Sequence, residues 1–204
     1  MKEKGFTLME LLIVLALIAI LAAILIAVIN PGAIMTRGRD TQRKGDLRNL
    51  AAATDAYIAD IGTGANLPWP ARGNCSSTSP GNVFFSTTTG AFLNGWPSVG
   101  TATGTNSTAA NGTGWVPLNF QASTIVGLGS LPLDPRNGLT GIVNGTTTVF
   151  AYSFTCDTNF NYEYAAKLEG DVPAMTNDGG NRNCTGTDPR DCLYEVGPGK
   201  FNLY

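Results

Sequence analysis

Residues 1–32 read MKEKGFTLMELLIVLALIAILAAILIAVINPG. From Leu11 to Ile29 no side chain is polar, a run of 19 residues. A helix rises about 1.5 Å per residue, so this run nearly crosses a hydrocarbon core of about 30 Å; starting it at Phe6 completes the span. Lys2 and Lys4 stand ahead of it, which by the positive-inside rule holds the short leader in the cytoplasm and sends the rest outward. A secretory signal peptide fits less well, because its apolar region is about 7–15 residues long and ends at a small-x-small cut site. Here Ala22-Ala23 is followed by more Ile and Leu, and helix-like sequence continues beyond Pro31.

Glu10 is the one discordant residue. On insertion scales a charged group at the centre of a membrane helix costs about 2.5–3.5 kcal/mol. Thr7-Leu8-Met9-Glu10 fits the capping box, in which Thr7 caps the helix and Glu10 returns to the backbone N–H of Thr7. The first turn also favours negative charge through the helix dipole. Neither effect explains why Gly5 precedes the apolar run or why the leader is so short.

The string GFTLMELL, Gly5 to Leu12, closely resembles the type IV prepilin signature shared by pilins and pseudopilins. The resemblance implies cleavage between Gly5 and Phe6 by prepilin peptidase at the inner membrane, and N-methylation of Phe6. It also implies an assembly salt bridge from Glu10 to the terminal amine of a neighbouring subunit. Joining two buried charges relieves the burial penalty of both, and a subunit docked at the wrong height would leave its Glu10 unpaired. The implied partners are further copies of the chain in a helical homopolymer, the peptidase and an inner-membrane assembly platform. The implied fold is pilin-like α+β: a long N-terminal helix, transmembrane in one half and amphipathic in the other, packed on a small antiparallel β-sheet. The corresponding segments are a leader (1–5), a transmembrane and filament-core helix (6–30), an amphipathic half (31–61) and a globular loop-rich β domain (62–204). The likeness is strong over residues 1–30, moderate to about 61 and architectural beyond. Pro31 departs from the best-known pilins, whose helix-kinking proline falls a few residues earlier; Asn30-Pro31-Gly32 is expected to loosen or break the helix at the membrane exit.

Composition narrows the functions. Net charge is -2 with 14% charged residues, so no basic surface points to nucleic acid. The chain has no histidine, which removes the usual general base and the commonest metal ligand; no constellation supports an enzyme. Cys75, Cys156, Cys184 and Cys192 form no C-x-x-C pair and read as two disulfides of an oxidising compartment. Three connectivities are open. The expected one closes Cys184–Cys192 as a tight loop and joins Cys75 to Cys156.

Along residues 33–61, Leu47, Leu50, Tyr57, Ile58 and Ile61 make an apolar helical stripe. Arg37, Arg39, Asp40, Arg43, Lys44, Asp46 and Arg48 crowd its first half and read as a solvated face; contact with lipid headgroups or an acidic neighbour is the alternative. Residues 62–114 read mainly as loop, with the uncharged stretch Ser98–Gly114 expected to be exposed and mobile. Strand-like runs are Trp115–Phe120, a short candidate broken by Pro117, then Thr147–Thr155 and Tyr162–Leu168 as a hairpin, with Leu193–Val196 as a final strand. Asn-x-Ser/Thr sites at Asn74, Asn106, Asn111, Asn144 and Asn183 read as chance in an Asn/Thr-rich surface.

Leu131-Pro132-Leu133-Asp134-Pro135-Arg136-Asn137-Gly138 partly resembles the Pro-x-Asp-Pro loop of major type II secretion pseudopilins, with Arg136 where those have tryptophan; it also reads as a plain turn. Asp171, Asp178, Asp188 and Asp191 lie among Gly, Asn and Pro near the C-terminus. Hard oxygen ligands on such a loop suit calcium, and secretion pseudopilins bind it in a C-terminal loop, but the spacing matches no EF-hand. No other cofactor is expected.

The leading expectation is therefore a structural subunit of a type IV pilus or related filament. Before assembly it is a single-pass inner-membrane protein with its globular domain outside the cytoplasm, and afterwards part of a surface or periplasmic filament. A type II secretion pseudopilin is the second reading. The third is a minor pilin acting as a membrane-tethered adhesion or DNA-uptake module, with Trp69, Trp96 and Trp115 as ligand contacts.

Overall fold

The computed structural model describes residues 5–62, 82–88, 96, 101–157, 159–180, 182, 184 and 192–198. Two helices open the chain. α1 spans Leu8–Ile29 and α2 spans Pro31–Gly62. Asn30 separates them in the left-handed conformation, φ 41° and ψ 76°, and Pro31 follows as the first residue of α2, where its missing N–H costs nothing. Asn30 also caps α2: its carbonyl and its Oδ1 accept the Ala33 N–H at 3.0 and 3.4 Å. The break at Asn30-Pro31 is thus both a stop and a start.

A five-stranded sheet lies against α2. Its strands are β1 (Asn82–Phe85), β2 (Thr101–Gly104), β5 (Tyr152–Cys156), β6 (Tyr162–Ala166) and β7 (Tyr194–Val196), in the order β2-β1-β5-β6-β7. All neighbours are antiparallel except β1 and β2. A separate hairpin joins β3 (Thr140–Val143) to β4 (Thr146–Val149). Its turn is Asn144-Gly145, both at positive φ, as a two-residue hairpin turn requires. A short helix, α3 (Val172–Thr176), precedes β7.

Several expectations are corrected here. Thr101–Gly104 is paired with the apolar strand Phe84-Phe85, and Ala110 is buried, so this part of Ser98–Gly114 is not loose loop; threonine suits a strand and backbone pairing needs no apolar side chain. Trp115–Phe120 is no strand, because Pro117 interrupts it; Trp115, Val116, Leu118 and Phe120 enter the core from an irregular segment ending in a 3₁₀ turn, Phe120–Ala122. The run Thr147–Thr155 divides at Phe150-Ala151 between the two sheets. The β5–β6 hairpin has the expected pairing, Cys156 opposite Tyr162.

The core lies between α2 and the sheet. Leu47, Leu50 and Tyr57 meet Phe150, Tyr152, Phe154, Tyr162 and Tyr164. Three of these tyrosines also bind α2. Tyr152 Oη donates to Asp46 at 2.8 Å, and Tyr162 Oη lies 2.9 Å from the Ala51 carbonyl and 2.6 Å from Asp55. Tyr164 Oη meets Thr54 Oγ1 at 2.8 Å. Burial first, and for Tyr152 and Tyr162 their carboxylate partners too, push these phenols above their usual range, so they stay neutral donors. They fix the height of the sheet on the helix. A smaller apolar cluster, Val83, Phe85, Trp96, Ala151, Ala165 and Leu193, covers the opposite face of the sheet.

Candidate functional site

The N-terminal segment begins with Gly5, where an added Cβ would meet nothing within 4 Å among the described residues, and Phe6, whose residue surface is 84% exposed. Thr7 caps α1: its Oγ1 accepts the Glu10 N–H at 3.2 Å. This is half of the expected capping box; among the described residues the Glu10 carboxylate makes no return bond. Beyond it, sixteen large apolar side chains from Phe6 to Ile29 are 48–84% exposed. Among the described residues, one helix is long and apolar enough over Leu8–Ile26 to cross a membrane.

The other end of the hinge is opposite in character. Arg43 and Asp40 are buried, which corrects the reading of the charge cluster as simply a solvated face. Arg43 grips Asp134 with two parallel bonds, Nε to Oδ2 at 2.7 Å and Nη2 to Oδ1 at 2.9 Å. Its Nη1 reaches Asp40 and Glu169, each at 2.8 Å. Glu169 is also held by Arg39 through two bonds of 2.7 Å and by Arg136 at 3.0 Å. Asp40 accepts the backbone N–H groups of Glu169 and Gly170 at 2.8 and 2.9 Å. Arg43 and Arg136 both lie over the Phe150 ring, 4.7 and 4.8 Å from its centre. Gly141 lines the same place, where a Cβ would run into Phe150.

Three guanidiniums thus face three carboxylates, from α2, the 134–136 turn and the end of the β6 segment. Burial alone would disfavour these charges. The Arg39 and Arg43 hydrogen bonds outweigh it at Glu169 and hold its carboxyl down at about 2; Asp134 and Glu169 likewise keep Arg43 charged. Removing one member of such a buried set leaves another charge uncompensated. The Leu131–Gly138 turn is therefore more than a turn: Asp134 fastens it to α2, and Asn137 fastens it to Ser86, Nδ2 to the carbonyl at 2.7 Å. The helical phase could have found Arg43 and Asp40, since both continue the stripe Leu50-Leu47 at helical steps.

Cys184 and Cys192 form a disulfide. Cys156 is disulfide-bonded as well, and Cys75 lies outside the described residues. Of the acidic candidates, Asp171 caps α3 and pairs with Lys44 Nζ at 2.6 Å, a bond that holds its carboxyl below the usual range. Asp178 stands apart, accepting the N–H groups of Gly180 and Glu195 at 2.9 and 2.7 Å. Asp188 and Asp191 lie outside the described residues. Trp96 and Trp115 are buried, their Nε1 groups donating to the carbonyls of Val149 and Pro132 at 3.0 Å, so neither is a surface ligand contact; Trp69 lies outside the described residues.

Residues 1–26 match the family described as the prokaryotic N-terminal methylation motif. No curated protein matches the chain, and no solved structure does. The motif falls on the capped, exposed apolar helix of an α+β body, and residues 1–26 carry the type IV pilin and pseudopilin signature.

Proposed function

We propose that the chain is a structural subunit of a type IV pilus or related filament. The observation that carries this is the segment from Phe6 to Ile29, whose sixteen large apolar side chains are 48–84% exposed among the described residues. Covering one large apolar side chain is worth about 1.5–3 kcal/mol, so sixteen represent tens of kcal/mol that lipid or neighbouring α1 helices must supply. In this reading residues 1–5 are a leader removed between Gly5 and Phe6, and Phe6 is then N-methylated. Residues 6–30 pass from the bilayer into a filament core, residues 31–61 carry the body, and residues 62–204 form the displayed domain. Glu10, whose carboxylate has no partner among the described residues, pairs with the terminal amine of the next subunit and sets its height. The charge cluster gives that arrangement a rigid handle, because α2 and the sheet move as one piece when Asp134 and Glu169 are tied to Arg43.

Filaments sheared from cells, or drawn from the periplasm, test the proposal: this chain should be their dominant subunit. A chain found only as a membrane-bound monomer would overturn it. The turn Leu131–Gly138 supports a secretion pseudopilin as the second reading, since it partly resembles the loop of that branch, with Arg136 where those have tryptophan, and is fastened to α2 here. Location of the filament, on the surface or within the periplasm, separates the two.

A further inference from the structure

One side of α2 carries charges that the chain leaves unused. Arg43, Leu47, Leu50 and Tyr57 are buried in the body, while Arg37, Thr41, Arg48 and Asp55 are exposed. Steps of four and seven residues set these four on one stripe of the helix. The other cations of the segment have carboxylates: Arg39 has Glu169, Arg43 has Asp134, and Lys44 has Asp171. The side chains of Arg37 and Arg48 pair with nothing among the described residues. Arg48 finds no acid on its own helix face, because the residues three and four away are Lys44, Gly45, Ala51 and Ala52. Asp55 accepts the Tyr162 hydroxyl on Oδ1 at 2.6 Å, and its Oδ2 has no partner among the described residues.

The sequence as a whole divides its charge in the same sense. Residues 37–48 hold five cations and two acids, a net charge of +3, and residues 49–204 hold six cations and eleven acids, a net charge of -5. A basic stalk below an acidic body is complementary to another copy of itself, provided that the copies stand side by side at different heights. Level copies would set Arg37 against Arg37 and Arg48 against Arg48. A displacement of one turn brings Arg48 only to Ala51 and Ala52, and one of three turns brings Arg37 against Arg48. Two turns, seven residues, bring Arg48 to Asp55.

We propose that a second copy of the chain docks on this stripe, parallel and displaced by two helical turns, so that Arg48 of one copy pairs with Asp55 of the next. The same displacement carries Arg37 to the height of the Lys44–Asp171 pair, where the Asp171 side chain is 36% exposed. Beside the stripe, Gly38, Gly45, Ala52 and Ala59 recur every seven residues and are exposed, so small residues fall beside small residues; they give room and no attraction. The contact runs head to tail: each copy offers Asp55 to one neighbour and Arg48 to the other, and such a contact propagates as an open filament. Resting on the filament reading, it gives α2 a face and a height in the assembly. An exposed ion pair shifts an equilibrium by no more than about fivefold, so burial of α1 drives assembly and the pairs select the height.

The test uses the full-length chain assembled in cells, with filaments sheared from the surface or drawn from the periplasm. Arg48→Glu and Asp55→Lys should each cut filament yield about fivefold, and R48E with D55K together should restore it to within about twofold. Because Asp55 also holds Tyr162, Tm of each variant in detergent separates loss of fold from loss of assembly. Arg48→Cys combined with Asp55→Cys, joined in filaments by a short bismaleimide, should give a ladder of trimers and beyond on a denaturing gel. Either cysteine alone gives dimers at most. If the charge variants fold poorly, the ladder decides. The proposal is overturned if filaments of the cysteine pair give no ladder, or if the double swap yields no more than the poorer single. It is equally overturned if Arg48→Cys is joined to a different protein. Absence of filaments from the unaltered chain would overturn the filament reading itself, and this contact with it.

Discussion

From Phe6 through α1, sixteen large apolar side chains stand exposed; three turns beyond Asn30, in α2, an arginine and an aspartate are buried. The two regions invert the ordinary relation between polarity and burial. The first is unsatisfied within the chain and needs other molecules around it. The second is satisfied within the chain, since Arg43 has Asp40, Asp134 and Glu169 about it. A chain built this way keeps its exposed apolar surface on one side of Asn30 and its buried ion pairs on the other. Exposed apolar surface is the interface signal, and buried charge is the internal fastening.

The largest effect expected on the fastening comes from Arg43→Ala, which leaves Asp134 without its cation, takes one partner each from Asp40 and Glu169, and should cost about 3–5 kcal/mol in chemical denaturation. Replacing Arg43 and Asp134 together by Met and Leu should cost less than Arg43→Ala alone, because fewer charges are left without partners. If the double variant is the worse of the two, the cluster is not organised around this pair. On the apolar side, Glu10→Ala should leave cleavage intact and cut filament yield about tenfold, the equivalent of ~1.4 kcal/mol per contact. Unchanged yield would remove Glu10 from the register role.

A pH series sharpens the contrast further. A carboxyl whose folded value lies below its unfolded one stabilises fully above the unfolded value and loses that contribution as pH falls through the folded one. For Glu169, held at about 2 against the usual 4.5, the loss should run from about pH 4.5 down towards 2. In Glu169→Gln this part of the acid limb of Tm against pH should flatten. The smallest effect belongs to the hinge: Asn30→Gly keeps positive φ and should change stability by a few tenths of a kcal/mol, whereas Asn30→Ala should cost about 1 kcal/mol. Equal losses for the two would mean that the αL conformation is not what joins the helices.

The parts that could be read from the chain are those whose cause is local. The apolar run, its cap at Thr7, the break at Asn30-Pro31 and the alternation of Tyr162, Tyr164 and Ala166 each depend on neighbours a few residues away. What was misread depends on partners far off. Arg43 looks solvent-facing until Asp134 and Glu169 arrive from 91 and 126 residues away. Thr101–Gly104 looks like linker until β1 offers it an edge. Within the stripe, phase was the usable signal and charge the misleading one.

The central claim is that α1 is made to be freed at Gly5 and buried among its own copies. Intact mass and N-terminal sequencing of the protein taken from filaments or membranes test it most directly. The account predicts a chain beginning at Phe6 and heavier by one N-methyl group; a mature chain that retains Met1–Gly5, or begins within or after the apolar run, would contradict it.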